Sequence, residues 1–294
     1  MHHDRYEYSA IIDRPSLKLP GNARVALWVI PNVEHFLFNK PSTSLVPFTA
    51  PLVPDVLNYG WREYGVRVGI WRLMEVLERH GIRGTVALNS DVCDHYPRII
   101  EEGMKLNWDW MGHGTNNSTL LNAQPEAEER RIIHDVLATI TQSIGRRPKG
   151  WLGPALTESF NTLDILAEEE IEYVADWCND ELPYRMKTKV GKMYSIPYSL
   201  EINDICAFLD LKKSAEEFYR MIVDQFEVLY EEGKEAPRIM SICLHPFIIG
   251  HPFRIKHLSR ALSEITKHEG VWLATGTEII DWYKTASEQA SGKA

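Results

Sequence analysis

Along the chain, short apolar runs alternate with polar loops and long amphipathic segments, and the rhythm repeats to the C-terminus. The first run, "RVALWVI" (24–30), is apolar almost without a break, the pattern of a strand covered on both faces. In "GIWRLMEVLERHG", Ile70, Leu73, Met74 and Leu77 stand at i, i+3, i+4 and i+7, and Gly81 supplies a stop, which predicts a helix. "GTVAL" (84–88), "LNWDWM" (106–111), "KGWLG", "IEYVAD", "MYSIPYSL", "RIMSICLH" and "VWLAT" read as further strands. Amphipathic segments stand between them, among them "YPRIIEEGM", "EAEERRIIHDVLATITQSIG", "TLDILAEEE", "SAEEFYRMIVDQFEVLYEEG" and "RIKHLSRALSEITKHEG", with "TEIIDWY" last. About eight strands alternating with helices imply an α/β fold with parallel strands, closing into a β/α barrel in one domain over residues 1–294. An open doubly wound sheet is the alternative. Residues 1–22 form an N-terminal extension, and 38–60, with Pro41, Pro47, Pro51 and Pro54, is expected to be an irregular surface excursion.

Composition narrows the partners. The 294 residues are 44% hydrophobic and 25% charged, ordinary for a globular domain. Acidic residues outnumber basic ones, 41 to 32, and "GRRPK" is a short turn rather than a basic tract, so no nucleic-acid partner is expected. No run has the length of a membrane span, and "MHHDRYEYSAIIDRP" lacks a signal-peptide core. Cys93, Cys178, Cys206 and Cys243 are widely spaced and make no CxxC, which excludes a cysteine zinc site and suits a reducing cytoplasm. No GxGxxG or GxxxxGK[ST] loop is present to hold a nucleotide.

In a β/α barrel the reactive groups gather beyond the C-terminal ends of the strands. Asn32, Glu34 and His35 follow the first strand here, Asn89 and Asp91 the second, His113 and Asn117 the third. Trp151 and Pro154 follow the fourth; Asp176, Trp177, Asn179, Asp180 and Glu181 the fifth; Glu201, Asn203 and Asp204 the sixth; and His245 the seventh. Two histidines at the ends of apolar runs on one inferred face point to a site. If the strand continues, Glu34 shares a face with Asn32 while His35 points away, which makes Glu34 the better base. Asp176 either orients a neighbour or caps the backbone. Arg67 and Arg72 read as structural ion-pair residues.

These stretches match a known pattern. "NARVALWVIPNVE", "YGVRVGIWR", "GHGTNN", "RPKGWLGP", "VADWCNDELPY", "IPYSLEIND" and "EAPRIMSICLHPFIIGHPFR" resemble the polysaccharide deacetylase superfamily, of carbohydrate esterase family 4 type. "YGVRVGIWR" with "DELPY" and "IPYSLEIND" is similar to its branch of metal-independent allantoinases and cyclic imide hydrolases. The resemblance implies a deformed β/α barrel, and by analogy a homotetramer. Deacetylases of the superfamily hold zinc with an aspartate after strand one and a His-x-x-x-His after strand three. The corresponding stretches here are "IPNVEHF" and the pair His113 and Asn117, so amides stand where stronger ligands would be.

The expected activity is therefore hydrolysis of a non-peptide C–N bond in a small cyclic amide or imide, with no cofactor. Glu34 is the expected general base, while His113 and His245 stabilise the oxyanion and protonate the leaving nitrogen. Asp176 orients a histidine; Asn32 and Asn117, with Trp151, Trp177, Asp180 and Glu201, contact the substrate. Trp28 and Phe36 are further candidates for the pocket wall. If an ion such as zinc binds, Glu34, His113 and His245 are the side chains to hold it. The loop "LGPALTESF" lacks the arginine of the allantoinase-like motif, which favours a ring less polar than allantoin. The competing functions are a metal-dependent N-deacetylase of amino sugars and a non-catalytic family member.

Overall fold

The computed structural model describes residues 3–40, 45–290 and 292. Met1 and His2 of the extension and Pro41 of the excursion lie outside these. The fold is built around one strand, β1 (Val25–Val33), all nine residues of which are buried. The apolar side chains alternate across it. Val25, Leu27 and Val29 pack outward against helices, whereas Ala26, Trp28 and Ile30 join Met111, Tyr173 and Tyr194 in the interior of a curled sheet.

The other strands follow as β2 (Thr85–Leu88), β3 (Asp109–Gly112), β4 (Gly150–Trp151), β5 (Tyr173–Val174), β6 (Tyr184–Met186), β7 (Met193–Ser195), β8 (Arg238–Leu244) and β9 (Val271–Leu273). Their order is β6-β7-β5-β4-β3-β2-β1-β8, with β9 alongside the start of β1. Every pairing is parallel except β6 with β7. Among the described residues no regular strand continues the sheet beyond β8. The Ile239 amide instead donates to Glu181 O at 3.1 Å and the Cys243 amide to Ile202 O at 3.0 Å. The result is a deformed (β/α) barrel, mostly parallel and closed on one side by irregular chain, in a single domain. The ninth strand, β6, was not expected, because its half of the hairpin carries Arg185 toward solvent and lacks an apolar run.

The helices that shape the site are α1 (Val56–Tyr64), α2 (Ile70–Arg79), α3 (Asp91–His95), α4 (Pro97–Lys105), α5 (Glu126–Ile144), α6 (Thr162–Glu168), α7 (Ala215–Glu232), α8 (Pro246–Ile249), α9 (Pro252–Ile265) and α10 (Gly276–Ala290). The excursion is thus not wholly irregular. Once past Pro54, Asp55 caps α1 by accepting from the Asn58 amide at 3.2 Å. A single π turn, Gly65–Gly69, then joins α1 to α2. No described helix is long and apolar enough to cross a membrane.

Candidate active site

The inward parity of β1 continues past its last inward apolar residue. Asn32 and Glu34 follow Ile30 at two-residue steps and both reach a pocket at the C-terminal mouth of the sheet. His35 turns away and stacks on His95 at 4.5 Å between ring centroids. His113 arrives from the end of β3 and His245 from the end of β8. Their Nε2 atoms lie 3.4 and 3.5 Å from the same oxygen, Glu34 Oε1. All three side chains are buried.

The far nitrogens decide what each ring offers. His113 Nδ1 lies 2.7 Å from Leu152 O. A carbonyl only accepts, so Nδ1 carries a proton and donates to it, which turns Nε2 toward Glu34. That Nε2 and Glu34 Oε2 are buried without a hydrogen-bond partner. His245 Nδ1 donates to Asp204 Oδ1 at 2.7 Å, and the His245 amide donates to Asp204 Oδ2 at 2.8 Å. Burial pushes His245 toward the neutral form, but the Glu34 and Asp204 carboxylates overcome it and raise its pKa to about 10. Burial likewise opposes ionisation of Glu34. The His245 charge and the approach of both histidines prevail, holding it down at about 2. At neutral pH the site holds a carboxylate facing an imidazolium.

Around this trio the pocket encloses about 190 Å³. Phe36, Trp61, Leu152, Leu156, Ile205 and Phe247 make it largely apolar. Arg62, from α1, adds a charge to this wall: its guanidinium lies over the Phe36 ring at 4.2 Å and Nη2 has no partner. Burial pushes this guanidinium down to about 10, against the attraction of Glu34 and Asp55.

Several expected site residues lie elsewhere. Asp176 orients no histidine. It accepts from the Gly153 amide at 2.7 Å, and its carboxyl is raised well above the usual range by burial and by the neighbouring Glu158 carboxylate. The histidine is oriented by Asp204, which a sequence that places Asp176 and Asp204 alike at strand ends cannot single out. Trp151 takes the outward parity of β4 and packs in the helix-side core, in space that Gly112 leaves open; a Cβ there would come within 2.6 Å of its ring. Trp28 fills the barrel interior. Trp177 packs on Tyr6 and donates to Glu158 at 3.0 Å. Asp180 is held by Arg14 at 2.7 and 2.8 Å, and Glu201 lines a separate cleft. Asn32 and Asn117 do face the pocket. Arg62 carries no signal in the sequence, because its helix, Val56–Tyr64, begins inside the Pro-rich stretch 38–60 and ends before the periodic run that starts at Gly69.

The superfamily's zinc needs a different donor set. Asn117, at the second histidine position, offers only a neutral amide oxygen, which already accepts from Asn89 Nδ2 at 3.0 Å, where an imidazole would supply a stronger donor. Among the described residues no three His, Cys, Asp or Glu side chains are arranged to hold a metal ion. The residues present do not fit the family's metal.

Comparison with known proteins agrees with this architecture. The polysaccharide deacetylase family model matches residues 60–174. The allantoinase PuuE superposes with a TM-score of 0.88 at 26% identity, over 97% of this chain and 98% of its own. A probable polysaccharide deacetylase from Pseudomonas aeruginosa PAO1 superposes with a TM-score of 0.85 at 28% identity, over 93% and 95%. The peptidoglycan deacetylase of Helicobacter pylori (strain ATCC 700392 / 26695) is 26% identical, over 78% of this chain and 87% of its own. Fold and site together define a β/α-barrel hydrolase. Residues 60–174 carry the polysaccharide deacetylase match, and the chain as a whole is similar to proteins of that superfamily.

Proposed function

We propose that this protein opens a small cyclic amide or imide by acid/base hydrolysis that needs no resident metal. The observation that carries the reading is the pocket itself: about 190 Å³ of mostly apolar space over Glu34, His113 and His245 suits one small ring rather than a polysaccharide strand. The likeness to the allantoinase PuuE over nearly the whole chain supports it. In this reading a water is held beside Glu34 and His113, and Glu34 removes its proton. The resulting hydroxide attacks the ring carbonyl carbon, and the Asn117 amide faces the oxyanion. The C–N bond then breaks as the His245 imidazolium protonates the leaving nitrogen, and the proton held by Glu34 returns to His245. The ion pair keeps base and acid in their working protonation states across the neutral range. Insertion of substrate between them weakens their mutual stabilisation and so restores the basicity of Glu34. A strained ring amide or imide, more electrophilic than an acetamide, is within reach of this chemistry.

The test is turnover of succinimide, dihydrouracil, hydantoin and allantoin by chelator-treated, metal-analysed protein, with a chito-oligosaccharide as control. Ring opening that survives chelation is expected, and Glu34→Gln should lose at least about 10²-fold in kcat while keeping its fold. Activity that appears only on adding zinc, or only toward the oligosaccharide, would overturn the reading in favour of N-deacetylation, the activity named for the Helicobacter pylori relative.

A further inference from the structure

The hydrolase reading uses neither Glu158 nor Asp176, yet both carboxyls stand behind the pocket wall. That wall includes the loop 153–158, whose Ala155 and Leu156 line the pocket. The loop is tightly wound. Ala155 and Leu156 both have a φ of 55°, in the left-handed region that side chains with a Cβ disfavour. At Gly153 an added Cβ would fall 2.4 Å from Thr157 O and 3.2 Å from Asp176 Oδ1. Two consecutive residues in that region hold only where the surroundings fix them.

Asp176, from just past the end of β5, fixes both ends. Its Oδ1 accepts from the Gly153 amide at 2.7 Å, and its carboxyl hydrogen-bonds that of Glu158. Glu158 Oε1 also accepts from the Trp177 indole at 3.0 Å. Two ionised carboxylates are acceptors only and cannot bond to each other, so a proton lies between them. Asp176 Oδ2 is closed to solvent, with no other partner. The charges around the pair do not replace that proton. Arg5, from the N-terminal extension, opposes the rise of Glu158 but is itself paired with Asp164 at 3.2 Å. Glu129, from α5, is a further negative charge, and Asp176 holds up the Cys178 thiol. Burial and mutual repulsion keep the proton on the pair through neutral pH.

Building on the hydrolase reading above, we infer that Asp176 and Glu158 are positioning residues that share one proton, and that this proton latches the loop 153–158 into the wall of the pocket. When hydroxide takes it, two carboxylates face each other in a confined space and repel. The Glu158 end of the loop is released, and the left-handed turn at Ala155 and Leu156 unwinds. Leu152 stays with the sheet, because its amide donates to Gly112 O at 2.9 Å, so His113 keeps its carbonyl partner. Glu34 and His245, from β1 and β8, are untouched. The latch acts on retention of the substrate, through KM, rather than on kcat.

Asp176→Asn imitates the protonated acid: its amide oxygen serves the Gly153 amide and its NH2 serves Glu158, with no proton to lose. Glu158→Gln is the mirror arrangement, and Asp176→Ala removes the clamp; a thermal melt checks each fold. The Leu156 and Thr157 amides bond to Gly153 O and Pro154 O in the wound loop. Their hydrogen exchange is followed without substrate from pH 7 to 10, corrected for base catalysis. KM and kcat are measured over the same range on the ring of the panel above that the wild type opens. In the wild type, protection should fall by at least about fivefold as the pH rises, the weight of one lost hydrogen bond, and KM should rise by a similar factor. Asp176→Asn and Glu158→Gln should stay protected throughout with a flat KM, and Asp176→Ala should be unprotected already at pH 7. Wild-type protection that parallels Asp176→Asn at every pH, or an Asp176→Ala loop as protected as the wild type at pH 7, would overturn the inference. Loop exchange that behaves as expected in a protein that opens no ring would leave the latch standing and remove the hydrolase reading. Ring opening with pH-independent exchange would do the reverse.

Discussion

Asp204 acts on His245 twice, through the imidazole Nδ1–H and through the backbone amide, so one buried carboxylate sets the ring's tautomer and the position of its main chain. Burial raises the carboxyl's own pKa, and the histidine opposes that rise. Asp204→Asn keeps the size but removes the charge that sustains the imidazolium and allows the wrong tautomer. A loss of about 10²- to 10⁴-fold in kcat is expected, by analogy with the loss of a carboxylate behind a catalytic histidine. A merely structural role would leave the pH profile alone. Here the alkaline limb, set by His245 near 10, should move to lower pH in the variant, and an unmoved limb would remove Asp204 from the part. At this scale the sequence was legible where strand parity operates: two-residue steps from Ile30 bring Asn32 and Glu34 to the same pocket. It was not legible where a partner comes from a distant loop. Asp204 meets His245 only because the chain after β7 lies against β8, a contact between Asn203 and Cys243 that no local pattern announces.

The same contrast holds for elements. The long periodic helices and the buried runs of β1 and β8 were readable from apolar spacing alone, whereas β4 and β5 shrink to two residues each and β6 carries no periodic signal. The helix most important to the pocket, α1, was hidden among prolines. Its continuation, the π turn Gly65–Gly69, packs on α8 directly after His245, so these glycines set how close the Trp61–Arg62 wall comes to Phe247. A Cβ at Gly69 would fall 2.0 Å from Pro246 O, and one at Gly65 2.7 Å from the Phe247 amide nitrogen. Both obstacles are backbone, so the elements must separate. Gly69→Ala should destabilise by about 1–3 kcal/mol and lower turnover, because the Arg62 wall and the first turn of α8 move apart. Gly60, in α1 with nothing within 4 Å of its added Cβ, is the control. Gly60→Ala should stabilise by about 0.5–1 kcal/mol with activity unchanged. Chemical denaturation of the two variants checks both signs, and a Gly69→Ala protein as stable and active as wild type would refute the packing argument.

Across the whole molecule, the barrel holds an ion pair out of water, and linkage makes its contribution visible. Folding raises the pKa of His245 from an ordinary 6.5 to about 10, so its contribution is fully present below pH 6.5 and is lost as the pH climbs toward 10. Over that window the native state binds the proton that the unfolded chain has released, and stability falls by at most about 1.4 kcal/mol per pH unit from this group. Glu34, lowered from 4.5 to about 2, works at the opposite end: its contribution is present above 4.5 and is lost as the pH falls through 2. Some other buried groups act outside the upper window. His35, His80 and His251 are depressed by burial and cost stability only as the pH drops below 6.5, and Glu158, raised to about 7 by burial, has titrated by then. Asp176, raised well above 3.8, and the four cysteines, raised above 9, add to the decline between pH 7 and 10, so the part due to His245 beside Glu34 is read as the difference between the wild type and a variant that lacks the carboxylate. Unfolding free energies from urea titrations at half-unit steps should decline across this range in the wild type. In Glu34→Gln, where the imidazolium loses its principal attraction, the decline should be shallower and end at lower pH. Parallel curves for the two proteins would mean that the pair does not couple as its 3.5 Å approach requires.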